Sequence, residues 1–118
     1  MAKPKYKAEY ELVHVKTLIK SVATRRIVRP AVEGAQTLDL GVKDIVAVVA
    51  GLTADDYRFT IVSDRDHTLW LDVYHPFCSV ILYVKLYIER IEERQDVDDV
   101  EKVVLVERVV VLSFKRKT

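Results

Sequence analysis

Asp66-His67-Thr68-Leu69-Trp70-Leu71-Asp72-Val73-Tyr74 decides how this chain is read. A turn-forming Asp-His pair stands directly before an alternating run. Leu69, Leu71 and Val73 point one way; Trp70, Asp72 and Tyr74 point the other. That period marks a strand with two different faces. The same period of two runs from Tyr57 to the end of the chain and gives strands over about 57–62, 69–75, 80–91 and 102–115. The first two are joined through residues 63–68, a hairpin-length connection. Pro76, Phe77 and Cys78 lead into the third. The acidic residues 92–99 lie at the junction of the last two, and over 89–94 a helical turn competes with the strand.

Upstream the period is helical. Residues 1–7 are polar, carry three lysines and read as a loose arm. From about Tyr10, the spacing of Leu12, Val15, Leu18, Ile19 and Val22 predicts an amphipathic helix with Lys16 and Lys20 on its wet side. Residues 24–29 are short and β-rich, and Pro30 ends them or opens the next turn. Residues 31–36 make a brief helix weakened by Gly34, and 37–41 a turn. Residues 42–52 are apolar nearly all round and read as a buried helix, although their valines also suit a strand. Thr53 with Asp56 three residues on is a capping-box-like start to one short turn. Helices first and strands second give an α+β fold in a single domain over 1–118: N-terminal helices packed on one face of a C-terminal antiparallel sheet.

Composition narrows the class. Half of the 118 residues are hydrophobic and 31% are charged, a soluble globular balance. The longest apolar run, 45–54, is too short to span a bilayer, so no membrane is expected. Met1-Ala2-Lys3-Pro4-Lys5 has no apolar segment behind it and no secretory signal is visible. A lone cysteine, Cys78, cannot form an internal disulfide, and the natural compartment is a reducing cytoplasm. The net charge of +1 is uneven: residues 89–102 hold 3 basic and 7 acidic side chains, which masks a mildly basic remainder compatible with a phosphate-rich partner.

On the third long strand, Tyr83, Lys85 and Tyr87 share a face opposite Leu82, Val84, Leu86 and Ile88. On the last, Val111, Ser113, Lys115 and Lys117 share a face opposite Val110, Leu112 and Phe114. One face goes to the helices; the other presents Tyr and Lys to solvent. An ordinary wet face has the same pattern. The sharper reading is a surface that grips RNA, with lysines for phosphates and tyrosines for stacking or proton transfer. His14 reads as a helix-surface residue, His67 as part of a turn, and His75 as the end of a strand before Pro76. Asp72, His75 and Cys78 complete no zinc-type spacing, and no metal site is expected. Nothing around Cys78 marks it as a nucleophile, and the three glycines form no phosphate loop.

Read together, Tyr10-Glu11-Leu12 with Val15-Lys16, the stretches 37–41 and 45–51, Leu52-Thr53-Ala54-Asp55-Asp56-Tyr57, the 66–74 stretch, Tyr83-Val84-Lys85-Leu86 and Val111-Leu112-Ser113-Phe114-Lys115 resemble the motility quorum-sensing regulator (MqsR) family. Order and spacing agree to residue 88, and residues 89–103 look like an insertion that lengthens the last hairpin. The resemblance implies a RelE-like toxin fold and a metal-independent endoribonuclease, an mRNA interferase of a type II toxin–antitoxin system with no cofactor. It implies mRNA and a cognate antitoxin as partners. The antitoxin would cover an exposed sheet edge or the long hairpin; a homo-oligomer through the same arm is the other way to cover it. The family's catalytic tyrosine and last lysine correspond to Tyr83 and Lys115. Its first lysine position holds Phe59, and its glutamine position holds Leu71. Arg58, Lys85 and Lys117 are the further RNA-contact candidates. Arg58 would face away on a regular strand unless a bulge turns it. The alternative is a family member with a weakened or lost site, acting as an RNA- or protein-binding module.

Overall fold

The computed structural model describes residues 3–118. Three helices come first: α1 (Leu12–Ile19), then α2 (Arg29–Gln36) and α3 (Val42–Ala50), with strand β1 (Arg25–Ile27) between α1 and α2. The remaining strands are β2 (Tyr57–Val62), β3 (Trp70–Tyr74), the two-residue β4 (Phe77–Cys78), β5 (Val80–Val97) and β6 (Val100–Arg116). The main sheet runs β1-β6-β5-β3-β2, and β4 folds back on β5. All pairings are antiparallel except that of β1 with β6, which is parallel. The expected α+β architecture is present, with this one parallel edge added.

The helices lie on one face. Val15, Leu18 and Ile19 of α1, Ala31 and Ala35 of α2, and Ile45 and Val49 of α3 pack on Tyr74, Leu82, Val84, Leu86, Val109, Val111 and Phe114. Helix α1 stops at Ile19, earlier than its periodicity suggested. The Thr24 hydroxyl donates to the Leu18 carbonyl at 2.7 Å and satisfies the end of the helix, which leaves Val22 exposed. Asp44 accepts the Gly41 N–H at 2.8 Å and opens α3, and Asp56 accepts the Thr53 N–H at 2.8 Å in the turn before β2.

Gly34 is required where it stands. A Cβ there would sit 2.1 Å from the Phe114 carbonyl oxygen, because α2 lies directly on the β6 backbone. Alanine favours a helix by about 1 kcal/mol over glycine. The clash is with backbone, so the opposite sign is expected: Gly34→Ala should destabilise by about 1–3 kcal/mol, the range for overpacked cores. Urea unfolding measures it, and a stabilised variant would refute the close approach.

Two expectations change. Within the described part of the arm, Lys5 exchanges both backbone hydrogen bonds with Thr60 of β2, at 2.9 and 2.8 Å, so the arm is pinned rather than loose; residues 1 and 2 lie outside the described chain. Most of the acidic segment is strand, and only Asp98 and Asp99 lie at the junction. β5 and β6 stay paired to Val97–Val100, and the turn is made by Asp98 and Asp99 with φ of 53° and 61°. Two successive left-handed residues match the tight hairpin turn whose twist suits the flanking strands. The acids are matched across the ladder: Arg90–Glu107 and Arg94–Glu101 at 3.2 and 3.1 Å, and Arg108–Glu93 at 2.8 Å. The resulting arm draws the molecule out to 52 Å.

Candidate active site

The side of the sheet away from the helices carries the candidate residues. Tyr83 and Lys115 are direct cross-strand partners on β5 and β6, and the Lys115 ammonium lies 5.4 Å from the Tyr83 ring centroid. Lys115 is exposed and Tyr83 half-buried. Lys85, paired with Ser113, is the next residue along the same face. Lys117 follows Lys115, its N–H donating to the Ile81 carbonyl at 2.9 Å.

Two bulges build this cluster. In β6, Lys85 opposes Ser113 while Leu86 opposes Val111, so Leu112 is an extra residue. The insertion reverses the phase of the strand. Val109 and Val111 face the helices before it, and Phe114 faces them after it. Val111 therefore does not share a face with Ser113 and Lys115, as plain alternation predicted; it is core. Without the extra residue, Lys115 would point at the helices. In β2, Tyr57 opposes Tyr74 and Phe59 opposes Val73, which leaves Arg58 as the bulged residue. Its guanidinium donates to the carbonyls of Asp55 and Tyr57 at 2.7 and 2.9 Å, and its charge reaches His75 across the open face.

The face is not simply wet. Leu71, Val73 and Val110 lie on it and are buried, a second small apolar floor beneath Lys85 and Tyr87. Beside it opens a groove of about 530 Å³ lined by Arg26, Arg65, Leu71, Lys85, Tyr87 and Leu112 among others. Arg26 is already engaged, with its guanidinium on Glu89 and the Tyr87 hydroxyl, all at 3.2 Å.

The electrostatics suit a phosphate. Burial pushes the Lys85 ammonium down from its usual range, helped by the Lys115 charge and opposed by Asp64. An anion between the Lys85 and Lys115 ammonium groups offsets that repulsion. Burial pushes the Tyr83 phenol up, so it holds its proton at neutral pH.

One residue of this face escaped the sequence reading. His75 stands opposite Tyr83, since Tyr74 pairs with Val84, and the two rings are 5.7 Å apart. The Phe59 ring meets the imidazole edge-on at 6.3 Å. Burial lowers the His75 pKa, and the charges of Arg58 and Lys117 lower it further. The signal was the β3–β5 register, which a period of two does not supply. His14, by contrast, sits 3.3 Å from Glu107 on the helix side. The 66–68 turn is ordered by Asp66, which accepts from the Thr68 N–H and hydroxyl at 2.9 and 2.6 Å, so His67 is not what holds it. Asp72 faces the helix side and His75 the open side, and among the described residues no cluster of three or more His, Cys, Asp or Glu side chains could hold a metal ion. Among the same residues no helix is long and apolar enough to cross a membrane.

A family model described as "Motility quorum-sensing regulator, toxin of MqsA" matches residues 7–100. The mRNA interferase toxin MqsR of Escherichia coli (strain K12) is 27% identical over 106 residues, covering 90% of this chain and 91% of that protein. The family match includes Tyr83, Lys85 and Arg58 and stops before Lys115 and Lys117. Those two join the site through their register on β5.

Proposed function

Because this chain belongs to the motility quorum-sensing regulator toxin family, we propose that it is the toxin of a type II toxin–antitoxin pair, a cytoplasmic endoribonuclease that cuts mRNA without a metal. In such a reaction the ribose 2′-hydroxyl attacks the adjacent phosphate. The protein must neutralise the phosphate as charge builds, supply a proton to the leaving 5′-oxygen and accept one from the 2′-hydroxyl. Lys115 serves the first need and Tyr83, which keeps its proton, the second. Lys85, Lys117 and Arg58 hold neighbouring phosphates. The observation that carries this reading is the cross-strand Tyr83–Lys115 pair, phenol beside ammonium on one open face.

The antitoxin is assigned to the hairpin arm. Beyond residue 89 its strands pair only with each other, and Val103 and Leu105 are 62% and 66% exposed side by side on one face. A second copy of the chain is the other occupant.

A specific observation also favours a binding module: the family's lysine and glutamine positions hold Phe59 and Leu71, and Leu71 is buried in the apolar floor. Induction of the chain alone in a bacterial host separates the two. Arrested growth with shortened mRNA is expected, relieved by co-expressing the product of the neighbouring gene. Normal growth with intact mRNA, at verified soluble expression, would favour the binding module.

A further inference from the structure

We infer that His75 is the general base of the cleavage reaction, standing in for the missing lysine. The inference rests on the ribonuclease reading and extends it. Phe59, which occupies the lysine position, cannot exchange a proton. Its ring instead packs edge-on against His75 at 6.3 Å, one strand over. The imidazole lies between that ring and Tyr83, 5.7 Å away, and so belongs to the same row as Lys115. Its backbone is fixed as well: the His75 N–H donates to the Asp56 carbonyl at 2.7 Å, and the buried Pro76 follows. A proton acceptor held this way beside a phenol and an ammonium completes the set that a phosphate transesterification needs.

The neutral imidazole takes the 2′-hydroxyl proton as the 2′-oxygen forms its bond to phosphorus. The phosphorus–5′-oxygen bond breaks, and that oxygen takes the Tyr83 hydroxyl proton. The products are a 2′,3′-cyclic phosphate and a free 5′-hydroxyl. The imidazolium then returns a proton to the phenolate, directly or through water, and the site is reset. The two groups are suited to opposite roles: burial raises Tyr83, whereas burial with the Arg58 and Lys117 charges lowers His75. The groups facing the imidazole are Arg58 from β2, Tyr83 from β5 and Lys117 from β6, with Lys115 beyond the phenol. Histidine is the side chain whose charge changes between pH 5 and 8. An acid limb in the rate, lying below the usual histidine range, therefore reports His75.

The test is the single-turnover cleavage rate of a mixed-sequence single-stranded RNA, with its 2′-deoxy counterpart as control, between pH 4.5 and 8. The parent should cut with an acid limb. His75→Asn should lose about a hundredfold or more and lose the limb with it. Added imidazole should restore part of the rate to His75→Ala and none to Lys115→Ala, an outcome that a structural role for His75 does not produce. If His75→Asn keeps the parental rate and limb while Lys115→Ala is inactive, the base assignment is overturned and the ribonuclease reading stands. If the folded parent cuts no RNA at any pH, both fall.

Discussion

Lys115→Ala is expected to lower RNA cleavage by about a hundred- to a thousandfold, the usual effect of deleting one group that stabilises developing charge. The side chain is exposed, and the strand beneath it is held by Phe114 on the core side and by the β5 ladder. Folding should be unaffected, so the whole loss belongs to the reaction. Lys85 cannot replace it. That ammonium is half-buried two residue pairs further along, and it is already disfavoured by its surroundings. Lys115→Arg keeps the charge in a broader, planar group and should recover part of the rate. Paired measurements of single-turnover cleavage and thermal unfolding check this. An alanine variant that melts normally and cuts at the parental rate removes Lys115 from the site.

The largest effect on stability is expected at Asp72. Its carboxylate is fully buried and accepts the Glu9 and Tyr10 N–H groups at 2.9 and 3.0 Å, together with the Thr60 hydroxyl. Tyr10 in turn donates its hydroxyl to the Trp70 carbonyl at 2.7 Å, and the Lys5 ammonium lies 4.4 Å over the Trp70 ring. One acid thus fastens the N-terminal segment to β2 and β3. Asp72→Ala strands three donors, and a hydrogen bond to a charged acceptor contributes about 1.5–3 kcal/mol. With some relief from water at Glu9, the loss should be about 3–5 kcal/mol. A small domain has only about 5–15 kcal/mol in hand. Urea unfolding gives the magnitude, and hydrogen exchange should quicken first at residues 5–10. A loss below about 1 kcal/mol would mean the carboxylate is not the fastener.

Much of this was legible in the chain, and the limits are physical. Helix and strand periods differ, so Val15, Leu18 and Ile19 declare one inward face and Leu82, Val84 and Leu86 another. Tyr83 and Lys85 then had to point away from the helices. Periodicity does not report register. It did not show that β3 meets β5 with His75 opposite Tyr83, or that one spare residue sits at Leu112. In Val109-Val110-Val111-Leu112 every side chain is apolar, so a change of phase leaves no mark. The acidic segment misled for a similar reason. Charge reads as loop until the opposite charges are seen across a ladder. Val110 was expected on the helix side with Leu112 and Phe114; the spare residue at Leu112 puts it on the open face, where it is buried with Leu71 and Val73.

The long hairpin separates two jobs by distance along one ladder. Its proposed chemistry-bearing end is at Tyr83 and Lys115, while fourteen registered pairs lead outward from it to the Asp98–Asp99 reversal. Trimming matched residues from both limbs near the tip therefore shortens the reach and leaves the base undisturbed. Removing a single residue from one limb turns every side chain beyond it over. Such a molecule can be re-tailored in length to suit a different companion, in steps of equal cuts, while its cutting end is inherited intact.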